Sequence, residues 1–384
     1  MRWFAIVGLL AGCYRPGADP ACLTRCDPAA AGQADACPGS LRCAEDGRCR
    51  EPDGTCGGSE VDGAVIDMRP DDSTAYCYGH GLLRVCLDAE PSGALQITSM
   101  SIDTASATCA VVPQTNGPDL CVIAATTVQL ANVRAIGPRP LVVIATDRIT
   151  LGGVIDVASR RIEGSGVAAA GSNDARCAGT SNPLTGAGGN GGSFGGIGGK
   201  GGRSGVNPQA SVDPQVLRGG CPGTDGNPSA LGGRGGGAIY FIAETGISVG
   251  TATINASGAG GSTAIATGGG GGGSGGMIGF DAPSLTVTTG GQAFANGGGG
   301  AGGSQDSSPG SAGTESPSAQ FPGEGGLGTG ANGGEGSLVS LDGLPGEGVS
   351  SSGGGGGGGA GVIVIYPVSQ AGAFGTAVSP PVTQ

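Results

Sequence analysis

Thirteen cysteines, one histidine and a few of the thirty carboxylates are the residues of this 384-residue chain whose types could do chemistry. Cys22, Cys26, Cys37, Cys43, Cys49 and Cys56 fall within 35 residues, among Pro, Gly, Asp and Arg and with almost no apolar side chains. A segment so poor in core needs covalent or metal staples. Zinc is the poorer reading, because the cluster has no Cys-x-x-Cys pair and no nearby histidine. Disulfides are expected, with all 15 connectivities of six cysteines left open. Farther on, Cys77 with Cys86, Cys109 with Cys121, and Cys177 with Cys221 form the local pairs. His80 sits in Tyr78-Gly79-His80-Gly81, between Cys77 and Cys86, and reads as a solvated loop histidine in preference to a general base.

Other candidate constellations fail on context. Gly196, Gly198 and Gly201 have the dinucleotide-binding spacing, but no strand is expected before them and no helix after. Gly199-Lys200 looks like the end of a P-loop, yet Phe194 stands where the first glycine belongs and Gly201 where Ser or Thr should bind magnesium. Calcium repeats need aspartates that the glycine runs lack, and Asp225 reads as an isolated turn residue. A β-helix polysaccharide lyase or hydrolase is the remaining enzyme reading. It needs clustered carboxylates, whereas Asp147, Asp156, Glu244 and Asp281 are scattered over the apolar segments. No catalytic residue, metal ligand or cofactor is therefore assigned, and the chain is read as a non-enzyme.

The first residues carry an address. Arg2 precedes an apolar run, Trp3 to Leu10, which ends in Leu10-Ala11-Gly12-Cys13. That is a signal with a cysteine at its cleavage site. It resembles the lipobox of bacterial lipoprotein precursors, which implies removal of residues 1–12 and diacylglycerol on the Cys13 sulfur. Each buried methylene adds about 0.8 kcal/mol of membrane affinity, so a multiply acylated cysteine anchors stably. Tyr14, not Asp, follows Cys13, which by the same analogy favours the outer membrane. Setting Cys13 aside leaves twelve cysteines, an even number suited to an oxidising compartment. No later stretch approaches the ~20 apolar residues of a transmembrane helix.

Formal net charge is −12 and charged residues make up 12% of the chain. This balance argues against nucleic acid as a partner, since its recognition draws on clustered Lys and Arg. Glycine is concentrated late, with 15 in residues 1–150 and 72 in residues 151–384. The expected organisation is a cysteine-rich disulfide knot over 13–56, an acidic linker over 57–75, and one main domain over 76–384.

That domain repeats itself. Residues 141–159, 239–257 and 277–296 each open on an apolar run, break at a polar turn, resume with alternation at Ile149/Leu151, Ile247/Val249 or Leu285/Val287, and close in a third short run. Residues 121–137 and 362–378 match the first two strands of the same unit. Three short strands per ~20 residues predict an all-β, β-helix-like parallel β-solenoid. An antiparallel β-sandwich is the alternative. Helix is poorly supported, because Gly, Thr and Ser saturate the sequence and no apolar 3.6-residue period persists.

Between units lie three glycine-rich inserts, 160–238, 258–276 and 297–361. Their Gly-Gly-x period, clearest in residues 188–202, matches a polyglycine II helix with about three residues per turn. The competing reading is a flexible glycine linker. Order is favoured by the Cys177/Cys221 pair, whose 45-residue loop is worth about 4 kcal/mol in the chain-entropy picture, and by Phe194, Ile197 and Phe321 as apolar plugs. Two Thr-x-Thr pairs, Thr251/Thr253 and Thr286/Thr288, are too few for an ice- or mineral-binding array.

Gly81-LLRVCL-Asp88, Arg139-PLVVIA-Thr146, Leu217-RGGCPG-Thr224 and Gly268-GGGGGSGG-Met277 resemble glycine-rich surface lipoproteins that recur in myxobacterial genomes. The resemblance spans most of the mature chain and implies a cell-envelope location, without carrying a catalytic residue. Sequence alone thus leads to a membrane-anchored scaffold for structure, adhesion or display. A module that binds an envelope protein or glycan is the second expectation.

Overall fold

The computed structural model describes residues 42–43, 49–50, 76–161, 168–172, 176–177, 184–212, 215–338, 340–348 and 351–383. The chain divides into two compact units, Met1–Asp72 and Ser73–Gln384. Of the first, the described part is an antiparallel pair, β1 (Arg42–Cys43) and β2 (Cys49–Arg50), whose backbone register sets Cys43 opposite Cys49. The side chains of these two cysteines, together with Cys13, Cys22, Cys26, Cys37 and Cys56, lie outside the described residues.

The second unit is built from strands, with one 3-10 turn at Val368–Gln370 among its described residues. A hairpin, β3 (Tyr76–Tyr78) and β4 (Val85–Leu87), precedes β5 (Ala94–Asp103) and β6 (Ala110–Val112). From there the chain alternates between two sheets. β7 (Leu120–Ala125), β9 (Leu141–Ala145), β11 (Ala238–Ala243), β14 (Met277–Asp281) and β17 (Val362–Tyr366) lie side by side in parallel, with β6 antiparallel on the β7 edge. Each of the first four is followed by strands of the other sheet. These are β8 (Thr127–Ile136), β10 (Arg148–Asp156), β12 with β13 (Gly246–Val249, Thr253–Asn255), and β15 with β16 (Leu285–Val287, Gln292–Phe294). They too pair in parallel, with β5 on the outer edge of β8 and β18 (Val378–Ser379) beside β16.

Parallel pairing rules out the antiparallel sandwich expected as the alternative. It also explains the two hydrophobic patterns. Strands of the six-stranded sheet read LVVIA, AIYFIA and MIGFD and are buried throughout, as a parallel sheet covered on both faces requires. One face, with Leu141, Val143, Ile239, Phe241, Ile278 and Phe280, meets Ile149, Leu151, Ile247, Val249 and Leu285 of the eight-stranded sheet. Its other face, with Val142, Ile144, Tyr240 and Ile242, is covered by Tyr78, Leu83 and Val85 of the hairpin and by Phe194 and Leu217. Each such fully buried side chain contributes about 1.5–3 kcal/mol. The eight-stranded sheet alternates, with Ile149 and Leu151 buried and Arg148 and Thr150 exposed, so its outer face meets solvent.

Register is set by stacking of like on like: Ile149 beside Ile247 and Ile247 beside Leu285. Tyr240 lies beside Gly279, where any Cβ would stand 2.0 Å from the tyrosine ring. The long strands bend at one stacked position. Ser99, Asn132 and Gly153 all have positive φ (52°, 53° and 58°), and the Val154 N–H donates to Asn132 Oδ1 at 3.2 Å. In later passages the chain breaks there, which gives β12 with β13 and β15 with β16. The last passage differs from the sequence reading: residues 368–377 form the 3-10 turn and successive turns where a second strand was expected, and β18 pairs at the position of a third.

Glycine segments leave after β10, β13 and β16 and return into β11, β14 and β17. They are buried, and their backbone amides are paired segment to segment. In 268–276 the donors fall into three sets with a spacing of three residues. Gly269, Gly272 and Gly275 donate to the carbonyls of Gly353, Gly356 and Gly359; Gly268, Gly271 and Ser274 to those of Asn227, Thr224 and Cys221; Gly270, Gly273 and Gly276 to those of Ser262, Ala259 and Ala256. It also accepts from Gly189 and Gly192, from Gly233 and Gly236, and from Gly298 and Ala301. Segment 353–361 donates in turn to 297–304, through Gly355 to Ala301 and Gly358 to Gly298, both at 2.8 Å. A closed cycle results: 268–276 donates to 353–361, which donates to 297–304, which donates back to 268–276.

Candidate functional site

The side chains with chemical potential gather at two places. The first is where the hairpin loop meets the six-stranded sheet. Register places Cys77 opposite Cys86, and a disulfide joins them. The loop they close is fastened by Asp281 at the end of β14, whose buried Oδ2 accepts from the His80 N–H at 2.7 Å and the Gly81 N–H at 2.8 Å. The His80 ring lies outside: its side chain is 67% exposed and its Nδ1 is 4.0 Å from Asp281 Oδ1, beyond a hydrogen bond. Tyr366 stacks alongside, with ring centroids 6.4 Å apart and planes within 11°. Beneath them is a cavity of about 380 Å³, lined by His80, Leu82, Tyr240, Val364 and Tyr366.

Tyr240 is fully buried there. Burial, reinforced by the Asp281 carboxylate, holds its phenol well above the ordinary range; the Leu82 and Leu83 backbone approaches the hydroxyl without reaching hydrogen-bond geometry. Desolvation raises Tyr78 as well. Chemically this is a clamp. The carboxylate spends one oxygen on two loop amides and makes no hydrogen bond to the imidazole, so no acid–base dyad forms between them.

The second place is the end of β10. Asp156 Oδ2 receives Arg134 Nη1 at 2.6 Å and Arg160 Nη2 at 2.5 Å, while its Oδ1 accepts from the Ala158 N–H at 2.9 Å. A buried carboxylate held by two guanidiniums ties β8, β10 and the exit into the first insert together. No protein-family model, curated protein or solved structure matches the chain. What this site does must be argued from its own geometry.

The remaining acids take lesser parts. Asp147 accepts the Thr245 hydroxyl at 2.7 Å, and this bond, ahead of Arg148, lowers its pKa against a smaller desolvation effect. Glu244 is exposed next to it, and Asp225 Oδ1 accepts the Gly232 N–H at 2.8 Å. Cys109 bonds to Cys121 and Cys177 to Cys221. The glycines at 196, 198 and 201 lie within the glycine segments, with Gly198 N–H bonded to Ser193 Oγ and Gly201 N–H to Asn190 Oδ1. Of the three expected plugs, Phe194 is fully buried under Arg218, whose guanidinium carbon is 4.7 Å from the ring centre. Ile197 and Phe321 are not plugs. They are 38% and 61% exposed.

Sequence reasoning missed the anchoring roles of Asp156 and Asp281. The available signal was the position of each acid at the end of an apolar run, where its partners arrive from another part of the chain.

Proposed function

We propose that the chain is a non-enzymatic envelope lipoprotein, anchored through Cys13, in which a β-solenoid carries polyglycine II helices as a rigid platform for display or adhesion. Support comes from one observation above all, the closed cycle of amide donation among 268–276, 353–361 and 297–304. A donor directed at the same neighbour every third residue is what a helix of three residues per turn demands. Neighbours on every side leave no room for side chains at the centre, so substituents are confined to the periphery, as on a display surface. Exposed Ile197, Leu327, Leu341 and Leu344 occupy such peripheral positions.

Two measurements test this. Hydrogen exchange on the full chain should show the central glycine segments protected to the level of β9 and β11; exchange at linker rates would overturn the rigid platform. Metabolic labelling with a palmitate analogue should mark the wild type and not Cys13→Ser, which should also leave the membrane fraction. Unlabelled wild-type protein would remove the anchor from the reading.

A further inference from the structure

The outward face of the eight-stranded sheet differs in composition from the rest of the molecule. Parallel pairing stacks Gln96, Gln129, Thr150, Ser248 and Thr286 in register, one per strand across β5, β8, β10, β12 and β15. All five are exposed. Two residues along, Thr98, Ala131 and Gly152 form a parallel row of small side chains. Residues 94–102, 127–133, 149–155, 246–255 and 285–294 contain no Asp, Glu, Lys, Arg or His, although the chain carries a formal charge of −12.

We infer that this face binds an extended, uncharged, β-linked polysaccharide laid along the stacking direction. Neighbouring strands are ~4.8 Å apart, a repeat close to the rise of one sugar in an extended β-1,4-linked chain, so successive rings meet successive strands. Glutamine amides and Thr or Ser hydroxyls each donate and accept, as sugar hydroxyls do. The Thr98/Ala131/Gly152 row is low enough to let a ring settle beside the polar ridge. Charge complementarity selects a neutral polymer: the row itself is uncharged, the one cation two residues before Thr150 on the same face, Arg148, is matched by Asp147 at 3.3 Å, and the chain's overall charge repels an anionic glycan. A protein strand is a poorer fit, because this face presents side chains and not unpaired backbone. Binding here goes beyond the scaffold role and needs no lipid on Cys13.

The test is calorimetric titration of the full disulfide-bonded chain with a soluble β-1,4-glucan hexamer, and with oligogalacturonate as the anionic counterpart. The glucan should bind and the galacturonate should not. Thr150→Lys/Ser248→Lys, in the middle of the row, should weaken glucan binding roughly tenfold or more, and the milder Thr150→Ala/Ser248→Ala pair should weaken it less at an unchanged melting temperature. Glu335→Lys, among the glycine segments, should bind as wild type. Absence of glucan binding, equal binding of the galacturonate, or full affinity in both row variants would overturn the assignment. So would a dimer in the wild type that the row variants dissolve, since the face would then be a contact between copies. Loss of protection in the glycine segments, by contrast, would leave this result untouched and count only against the rigid platform.

Discussion

An alanine Cβ at position 272 would stand 2.0 Å from the carbonyl oxygen of Gly298. The two residues belong to different inserts, and they meet where the three central segments converge.

Gly272→Ala should therefore be severely destabilising. The offending atom is backbone, so the segments must separate and forfeit hydrogen bonds on several sides. Overpacking typically costs about 1–3 kcal/mol, and an obstacle that is backbone on a neighbouring segment puts this substitution at the upper end or beyond. Glu335→Ala, at an exposed position of the same region, should change stability by no more than about 0.5 kcal/mol. Chemical denaturation of both variants reads the contrast, and similar midpoints would dismiss the packing argument.

Asp156→Ala should cost about 3 kcal/mol, the low end of the range for breaking a buried pair, because Arg134 and Arg160 keep partial access to solvent. Leu→Ala-like loss from the core is not the cause, so Asp156→Leu, of similar size, should do no better. Thermal unfolding of the two variants against wild type decides.

Alkaline pH should unfold the protein through its buried tyrosines. The phenols of Tyr240 and Tyr78 are raised in the folded state, by burial first in both. Their contribution is whole below the unfolded value near 10 and is lost as pH climbs toward the folded one, because only the unfolded chain ionises freely. Phenolate absorbance from the buried pair should appear only together with loss of structure. A single stage near pH 10 with the fold intact would contradict this.

Removing the Cys177–Cys221 bond by Cys177→Ser/Cys221→Ser should lower stability by up to about 4 kcal/mol, the entropy of a loop of that length. Protection from hydrogen exchange should fall first in residues 188–202, which that bond encloses, and in 219–226, around its second end. Uniform loss over β9 and β11 would point instead to a global role.

The repeated strands were legible because their apolar alternation survives in every passage: Ile149/Leu151, Ile247/Val249 and Leu285/Val287 pair in register. β5 was not, since the bend at Ser99 shifts its inward position from Leu95 and Ile97 to Ile102, leaves Met100 exposed and breaks the period of two. The polar row escaped for another reason. It draws one residue from each of five strands and mixes Gln, Thr and Ser, so no local motif marks it, and counting Thr-x-Thr pairs undervalued the face. Likewise the partners of Asp281 lie 200 and 201 residues away, and nothing in the neighbourhood of either end announces the other.

The closed donor cycle also fixes an order of assembly. Its three members are the late part of the second insert and the two ends of the third, so the cycle stays open until residues 353–361 are in place. Contacts so distant in sequence form slowly, and until they do the N–H groups of Gly269, Gly272 and Gly275 and the carbonyls of Gly298 and Ala301 lack the partners that satisfy them. A chain ending before residue 353 would keep most of its strands yet be unable to complete its glycine interior.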